Sequence, residues 1–143
     1  MKCLIADDSF LSRQFITDIL RPIADYDVAC DGREAMYALE LSWSNHQNYD
    51  FIVLDIDMPK KSGREVLQFL RSREAEQGIH PGQGSKVIML TSHRDADSVF
   101  GTFRDGCEAY LMKPASEQKV LHELERLGLI GQPAKLAATS HQL

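Results

Sequence analysis

The stretch Val53-Leu54-Asp55-Ile56-Asp57-Met58-Pro59, with Gly63 shortly after it, decides the fold class of this chain. It contains the end of an uninterrupted apolar run at residues 51–54, and a helical pattern of apolar residues begins beyond it. Continuous apolar runs of this length are typical of central strands in parallel sheets, whose two faces are both covered by helices. The stretch therefore predicts one strand, loop and helix of a parallel α/β sheet.

Four more apolar runs of strand length lie outside this stretch, at residues 3–6, 26–30, 87–90 and 109–112. The segments between the runs have helical spacing, which predicts helices at 9–21, from 31, from 63, at 95–104 and from 116 to Gly128. Such alternation predicts a three-layer α/β fold, in which helices cover both faces of a doubly wound, five-stranded parallel sheet.

Local signals refine the first two helices. The apolar stripe that we expect to face the sheet in the first helix consists of Leu11, Phe15, Ile16, Ile19 and Leu20. Asp31 is the expected N-cap of the second helix, and Glu34, three residues later, completes a capping box. Residues 42–49 and 76–85 are expected to be long polar connections.

The composition is that of an ordinary globular domain, since 43% of the 143 residues are hydrophobic and 26% are charged. This length predicts one domain, taken as residues 1–129, followed by a flexible tail at 130–143. The net charge of −5 argues against a general attraction for nucleic acid. Because no apolar run approaches the roughly 20 residues of a membrane span, no signal peptide is recognisable and the three cysteines are expected to stay reduced, we predict a cytoplasmic location.

Side chains suited to chemistry follow four of the five predicted strands. Asp7 and Asp8 follow the first strand, Asp55 the third, Thr91 the fourth and Lys113 the fifth. Because the carboxyl ends of parallel strands share one edge, where open α/β sheets bind their ligands, we expect these side chains to meet. Three carboxylates about 5 Å apart repel by about 3 kcal/mol per pair at an effective dielectric of about 20, so the cluster requires either a cation or one carboxyl group that stays protonated.

Carboxylate oxygens favour a hard divalent cation, so the sequence predicts Mg²⁺, with Mn²⁺ as the alternative, rather than zinc. Mg²⁺ in proteins is commonly bound through one or two carboxylates plus a phosphate, which points to phosphoryl chemistry with a carboxylate as nucleophile. The Lys113 ammonium and the Thr91 hydroxyl are expected to stabilise the transferring phosphoryl group.

Four segments of the chain resemble the response regulator receiver domains of two-component signal transduction. They are Leu4-Ile5-Ala6-Asp7-Asp8-Ser9, the stretch 53–59 quoted above with Gly63, Ile88-Met89-Leu90-Thr91-Ser92, and Gly106-Cys107-Glu108-Ala109-Tyr110-Leu111-Met112-Lys113-Pro114. The segments occur in the family's order and spacing, and the resemblance extends over about residues 1–129, which is nearly the whole chain. The resemblance implies a (βα)5 fold, flavodoxin-like or CheY-like, with strand order 2-1-3-4-5.

The resemblance also implies roles for the side chains of the cluster. Asp55 is the expected phosphoryl acceptor, and Lys113 is expected to pair with it at rest. The expected Mg²⁺ ligands are Asp8 and Asp55 directly, Asp57 through its backbone carbonyl, and Asp7 mainly through a bound water. Pro114 is expected to follow a cis peptide bond that places Lys113 in the site.

Two residues are implied to form a switch, because Thr91 would turn to the phosphoryl group and Tyr110 would move inward with it. The surface read by partners would comprise the fourth predicted helix, the fifth strand and the fifth predicted helix. The expected partners are a sensor histidine kinase or phosphotransfer protein upstream and an effector protein downstream. Direct nucleic acid binding and membrane insertion are not expected, and a homodimer through the same surface is left open.

Two alternatives belong to other functional classes. A phosphohydrolase similar to the haloacid dehalogenase superfamily would use Asp55, Thr91 and Lys113, but that superfamily has its acidic pair after the lysine, whereas here Asp7 and Asp8 come first. A pseudo-receiver, which binds a partner without accepting phosphate, is disfavoured by the complete set of site residues. Unless the chain is a piece of a longer protein, we expect a stand-alone receiver. It would be a regulatory phospho-acceptor that assists its own phosphoryl transfer and dephosphorylation, not an enzyme.

Overall fold

The computed structural model of the chain describes residues 1–92 and 106–131. Its strands are β1 (Lys2–Ala6), β2 (Asp25–Ala29), β3 (Phe51–Asp55), β4 (Lys86–Thr91) and β5 (Ala109–Met112). Neighbouring strands all pair in parallel, in the order β2-β1-β3-β4-β5. The predicted five-stranded parallel sheet and its strand order are therefore confirmed.

The described residues form the helices α1 (Phe10–Leu20), α2 (Gly32–Ser44), α3 (Gly63–Glu76) and α4 (Glu117–Arg126), the last being the fifth helix of the prediction. Each follows a side-chain cap, and the caps are Ser9, Asp31, Ser62 and Ser116. At the start of α2, Asp31 accepts from the Glu34 N–H at 2.8 Å. The Glu34 carboxylate reaches one residue further back than in the usual capping box and accepts from the Cys30 N–H at 2.8 Å.

Alternate residues of the central strands face two separate cores. On one side of the sheet, Leu4 and Ile52 pack with the apolar residues of α2 and α3. On the other side, Ile5 and Val53 pack with those of α1 and α4. Because both faces are covered, the central strands are apolar along their length, which explains the continuous run that the sequence showed.

The predicted stripe of α1 is partly wrong, since Leu11 is 78% exposed and Phe15 is 45% exposed. A helix has 3.6 residues per turn, so each step of four residues moves about 40° around the axis and Leu11 lies about 80° away from Ile19. The buried face of α1 is formed by Ile16, Thr17, Ile19 and Leu20. The predicted connection at 42–49 also begins too early, because α2 continues to Ser44.

The fourth predicted helix, at residues 95–104, and residues 132–143 of the predicted tail lie outside the described residues. Among the helices that are described, none combines the length and the apolar character needed to cross a membrane.

Candidate functional site

The carboxyl ends of β1 and β3 bring three carboxylates together. Asp7 comes directly after β1, and Asp55 is the last residue of β3. One carboxylate oxygen from each of Asp7, Asp8 and Asp55 lies within 4.8 Å of the others. Asp7 is 0% exposed and Asp55 is 3% exposed, whereas Asp8 faces solvent. Two of the three acidic residues are therefore buried, and the cluster is open to water at the third, Asp8.

The loop after β3 is held closely against this cluster. The Ile56 N–H donates to the Leu90 carbonyl of β4 at 2.9 Å, and the Gly63 N–H donates to the Ile56 carbonyl at 2.8 Å. A Cβ atom on residue 63 would lie 2.2 Å from the Asp55 carbonyl oxygen. Glycine is therefore required at the first residue of α3, where the helix meets the acidic end of β3.

The Asp7 carboxylate accepts hydrogen bonds from three donors. Its Oδ1 accepts from the Ser9 N–H at 2.9 Å, and its Oδ2 accepts from the Ser12 hydroxyl at 2.5 Å and from the Lys113 ammonium at 2.8 Å. Burial by itself would raise the pKa of Asp7, but the hydrogen bonds from Lys113, Ser12 and Ser9 together outweigh it and lower the pKa. Asp7 is therefore held in its ionised form.

The ionised form of Asp55 is stabilised by fewer and longer contacts than that of Asp7. Its Oδ1 accepts from the Asp57 N–H at 3.2 Å, and its Oδ2 lies 3.3 Å from the Lys113 Nζ. Burial raises the pKa of Asp55 well above its usual range, the Lys113 charge opposes this rise, and the Asp7 charge adds to it. A further cation beside Asp55 would favour its ionised form.

Lys113 bridges two of the carboxylates. Its Nζ lies 2.8 Å from Asp7 Oδ2 and 3.3 Å from Asp55 Oδ2, so Asp7 is the closer partner, although the resemblance implied Asp55. The Lys113 N–H donates to the Thr91 carbonyl at 2.7 Å, and the peptide bond to Pro114 is cis. Three carboxylates and one ammonium carry a formal charge of −3 + 1 = −2, which one divalent cation would balance.

The two residues expected to form the switch lie on β4 and β5. Thr91 is the last residue of β4, is 0% exposed, and pairs in register with Met112 of β5. Tyr110 is half-buried on β5, and its hydroxyl donates to the Met112 thioether sulfur at 3.5 Å. Thr91 thus lies at the edge of the sheet that carries the acidic cluster. Tyr110 comes two residues before Met112, so both side chains lie on the same face of β5.

The donor set suits a hard divalent cation, because the clustered groups are all carboxylates. The exposed position of Asp8 leaves space for the water molecules that Mg²⁺ usually retains. By ligand chemistry and by charge, the residues present fit Mg²⁺.

Sequence reasoning missed two residues of the site, Ser12 and Arg13. The Ser12 hydroxyl bonds the Asp7 carboxylate, and the Arg13 guanidinium donates to the Asp7 carbonyl at 2.8 Å. Both side chains come from the first turn of α1, and side chains in a helix lean toward its N-terminus, which here faces the site. The sequence signal that could have identified Ser12 and Arg13 was their position about one helical turn after Asp7 and Asp8.

An apolar groove of about 390 Å³ borders the acidic cluster between α1 and the segment after β5. Its lining includes Leu11, Phe15, Pro114 and Ala115, with Ser12 and Lys113 at the polar end. The two α1 residues that the sequence analysis placed against the sheet, Leu11 and Phe15, instead form one wall of this groove.

Comparison with known proteins identifies similar sequences over most of the chain. The model of the response regulator receiver domain family matches residues 3–125. The chemotaxis protein CheY of Pseudomonas aeruginosa is 28% identical over 127 residues, which cover 89% of this chain and 95% of that protein. Some curated relatives are much longer, since the chain spans 9% of one and 44% of another.

Solved structures show the same similarity in three dimensions. The receiver domain of the Francisella response regulator 1452 is 31% identical with a TM-score of 0.69, over 88% of this chain and 94% of that one. A chain of the CheX–CheY–BeF3–Mg²⁺ complex from Borrelia burgdorferi is 25% identical with a TM-score of 0.75, over 90% of this chain and 89% of that one.

Proposed function

Because this chain belongs to the family of response regulator receiver domains, we propose that it accepts a phosphoryl group on Asp55 from a phosphohistidine of a sensor histidine kinase or phosphotransfer protein. The observation that carries the proposal is the setting of Asp55, whose buried carboxylate lies beside two others and 3.3 Å from the Lys113 ammonium. Domains of this family are regulatory, so the phosphorylated state is the signal.

In the transfer, an Asp55 carboxylate oxygen forms a bond to phosphorus while the bond from phosphorus to the donor imidazole nitrogen breaks. The imidazole keeps the electron pair of that bond and takes up a proton. Lys113 stabilises the negative charge on the phosphoryl oxygens, and the Thr91 hydroxyl donates to one of them. Hydrogen bonds to charged groups contribute about 1.5–3 kcal/mol each. Made only in the phosphorylated state, the two contacts would supply most of the roughly 5.5 kcal/mol that turns a 1:99 equilibrium into 99:1.

We propose Mg²⁺ as the cofactor, with Mn²⁺ as the alternative. When bound, the cation neutralises charge on the phosphoryl oxygens. Asp8 and Asp55 would hold it directly, Asp57 through its backbone carbonyl, and Asp7 mainly through a water. The carboxylate cluster supports this assignment, as does the presence of Mg²⁺ in the similar Borrelia complex.

The apolar groove beside the site supports docking of a helical phosphodonor. Leu11 and Phe15 are exposed on α1, and the groove that they line leads to Lys113. An amphipathic helix bearing the phosphohistidine would bury its apolar stripe there. We expect Leu11→Ser and Phe15→Ser to slow phosphorylation by the protein donor while leaving phosphorylation by acetyl phosphate unchanged.

The output is a changed surface that an effector protein reads. We place it on β5, α4 and the fourth predicted helix, of which the last lies outside the described residues. Tyr110 would move inward with Thr91, and a cleft of about 390 Å³ between β5 and α4 borders Tyr110 and Met112. Dimerisation through this surface is the alternative output. Residues 1–129 would form the receiver domain of a cytoplasmic protein. Deletion of residues 131–143 is expected to leave phosphorylation intact.

The proposal is tested by intact mass after incubation with acetyl phosphate and Mg²⁺. We expect a single phosphoryl adduct on the wild-type chain, its loss in EDTA, and no adduct on Asp55→Asn. Asp57→Asn is the matched control, because it removes a nearby carboxylate but retains the backbone carbonyl, and it should still form the adduct.

Each other result identifies a competing function. Absence of the adduct from a folded wild-type chain, without phosphate release, would indicate a pseudo-receiver. Sustained release of phosphate from several phosphate esters would favour the phosphohydrolase. An adduct that persists in Asp55→Asn would show that another residue is the acceptor.

A further inference from the structure

We propose that Ser12 is a positioning residue for Asp7, an inference that rests on the proposed Mg²⁺ site. The Ser12 hydroxyl lies in the first turn of α1 and donates to Asp7 Oδ2 at 2.5 Å. It touches Asp7 alone among the three clustered carboxylates and would act on the cation through Asp7.

The hydrogen bonds of Asp7 show how this would work. A carboxylate has about four lone-pair positions, two on each oxygen. Oδ2 accepts from Ser12 and from Lys113, and Oδ1 accepts from the Ser9 N–H. Both positions on Oδ2 are therefore occupied, and the remaining one lies on Oδ1. Ser12 thus determines that Asp7 presents Oδ1 to the cation or to its bound water.

The burial of Asp7 makes this contact difficult to replace. The Asp7 residue is 0% exposed, so bulk solvent does not supply a donor that would replace the Ser12 hydroxyl at Oδ2. Without the Ser12 hydroxyl, Lys113 would be the only donor to Oδ2, and the carboxylate would be free to turn toward the ammonium. Loss of hydrogen-bond partners of metal-ligating groups typically lowers metal affinity by about 10–100-fold.

The test is the Mg²⁺ affinity of the full chain, measured by titration calorimetry with MgCl₂. We expect Ser12→Ala to weaken binding by about 10-fold, whereas Ser12→Thr, which keeps the hydroxyl, stays within about 2-fold of wild type. Ser44→Ala is the matched control, because this exposed α2 hydroxyl donates to the Glu40 carbonyl, away from the site. It should bind Mg²⁺ as the wild type does.

Three results would overturn the inference. Equal affinity of wild type and Ser12→Ala would show that Asp7 needs no such positioning, and equal weakening in Ser12→Thr would show that the hydroxyl is not the cause. Both leave the proposed function intact, since the wild type binds Mg²⁺ in each. Failure of the wild type itself to bind Mg²⁺ would overturn the proposed cofactor together with this inference.

Discussion

Arg71 on α3 and Glu108, the residue before β5, form a two-point ion pair, in which Arg71 Nη2 lies 3.1 and 2.9 Å from the two Glu108 carboxylate oxygens. Arg71 also donates to the Gly106 carbonyl at 3.0 Å, and to the Ser85 carbonyl and the Glu74 carboxylate at 2.8 Å each. The Arg71 side chain is only 21% exposed. This network joins α3 to the beginnings of β4 and β5, at the edge of the sheet opposite the acidic cluster.

Replacing Arg71 is predicted to destabilise the fold strongly. Arg71→Met leaves the buried Glu74 and the half-buried Glu108 without their shared cation, and breaking a buried ion pair in this way costs about 3–5 kcal/mol. The free energy of unfolding can be measured by urea denaturation, followed by the fluorescence of Trp43, the only tryptophan. Arg33→Met, at an exposed position of α2, is the control and should change it by less than about 0.5 kcal/mol. If Arg71→Met lowered the free energy of unfolding by as little as Arg33→Met, the prediction would be contradicted.

Lys60, in the loop between β3 and α3, is predicted to strain the backbone. Its φ of 71° lies in the left-handed region, which costs a non-glycine residue about 1–2 kcal/mol. Its ion pair with Asp31 at 3.3 Å, in which the lysine side chain is exposed, offsets only part of this cost. Lys60→Gly is therefore expected to raise the free energy of unfolding by up to about 1 kcal/mol in the same assay.

The neighbouring Lys61 provides the control for Lys60, because it is also exposed but has a negative φ. Lys61→Gly should lower stability, since glycine there adds only freedom to the unfolded chain. Destabilisation by both substitutions would show that Lys60 carries no strain.

Mg²⁺ is predicted to stabilise the folded chain, because it balances the charge of a cluster that exists only after folding. A ligand at 100 times its dissociation constant adds about 2.7 kcal/mol to the free energy of unfolding. Thermal denaturation should therefore show a Tm that rises with MgCl₂ and falls back in EDTA, but not with NaCl of equal ionic strength. Asp8→Asn should lose most of this rise, whereas Asp18→Asn, at an exposed α1 position, should retain it. An equal rise in all three proteins would point to a different site.

Stability is predicted to fall in alkaline solution because of Cys3 and Tyr49. Burial raises the pKa of the Cys3 thiol to about 12. Burial, with the hydrogen bond that the Tyr49 hydroxyl donates to Asp27 at 2.6 Å, raises the pKa of Tyr49 far above its usual value. In the unfolded chain the Cys3 thiol loses its proton near pH 8.5 and the Tyr49 hydroxyl loses its proton at about pH 10. The folded chain then holds more protons than the unfolded one, so stability is full below about pH 8 and decreases above it.

Urea midpoints measured across this pH range test whether stability decreases as the pH rises. Tyr49→Phe should reduce the decrease above about pH 10, because phenylalanine has no proton to lose. Stability that increases over the same range, or a Tyr49→Phe variant with the wild-type pH profile, would contradict the assignment.

The sheet and the location of the site followed from the order of residues along the chain. A continuous apolar run such as 51–54 requires cover on both faces, which implies parallel strands between layers of helices. Parallel strands end at a common edge, so acidic residues after β1 and β3 had to approach one another. Helix caps such as Asp31 were also predictable, since an N-cap and its partner lie within one turn of the chain.

Only the tertiary structure decided which atoms meet within that site. Lys113 lies 58 residues from Asp55 along the chain, and its preference for Asp7 depends on differences of about half an ångström between side chains from separate strands. The roles of Ser12 and Arg71 likewise depend on where packed helices direct their side chains. Residue order determines which strand ends share an edge, but a hydrogen bond needs its donor and acceptor about 3 Å apart, and packing alone provides that precision.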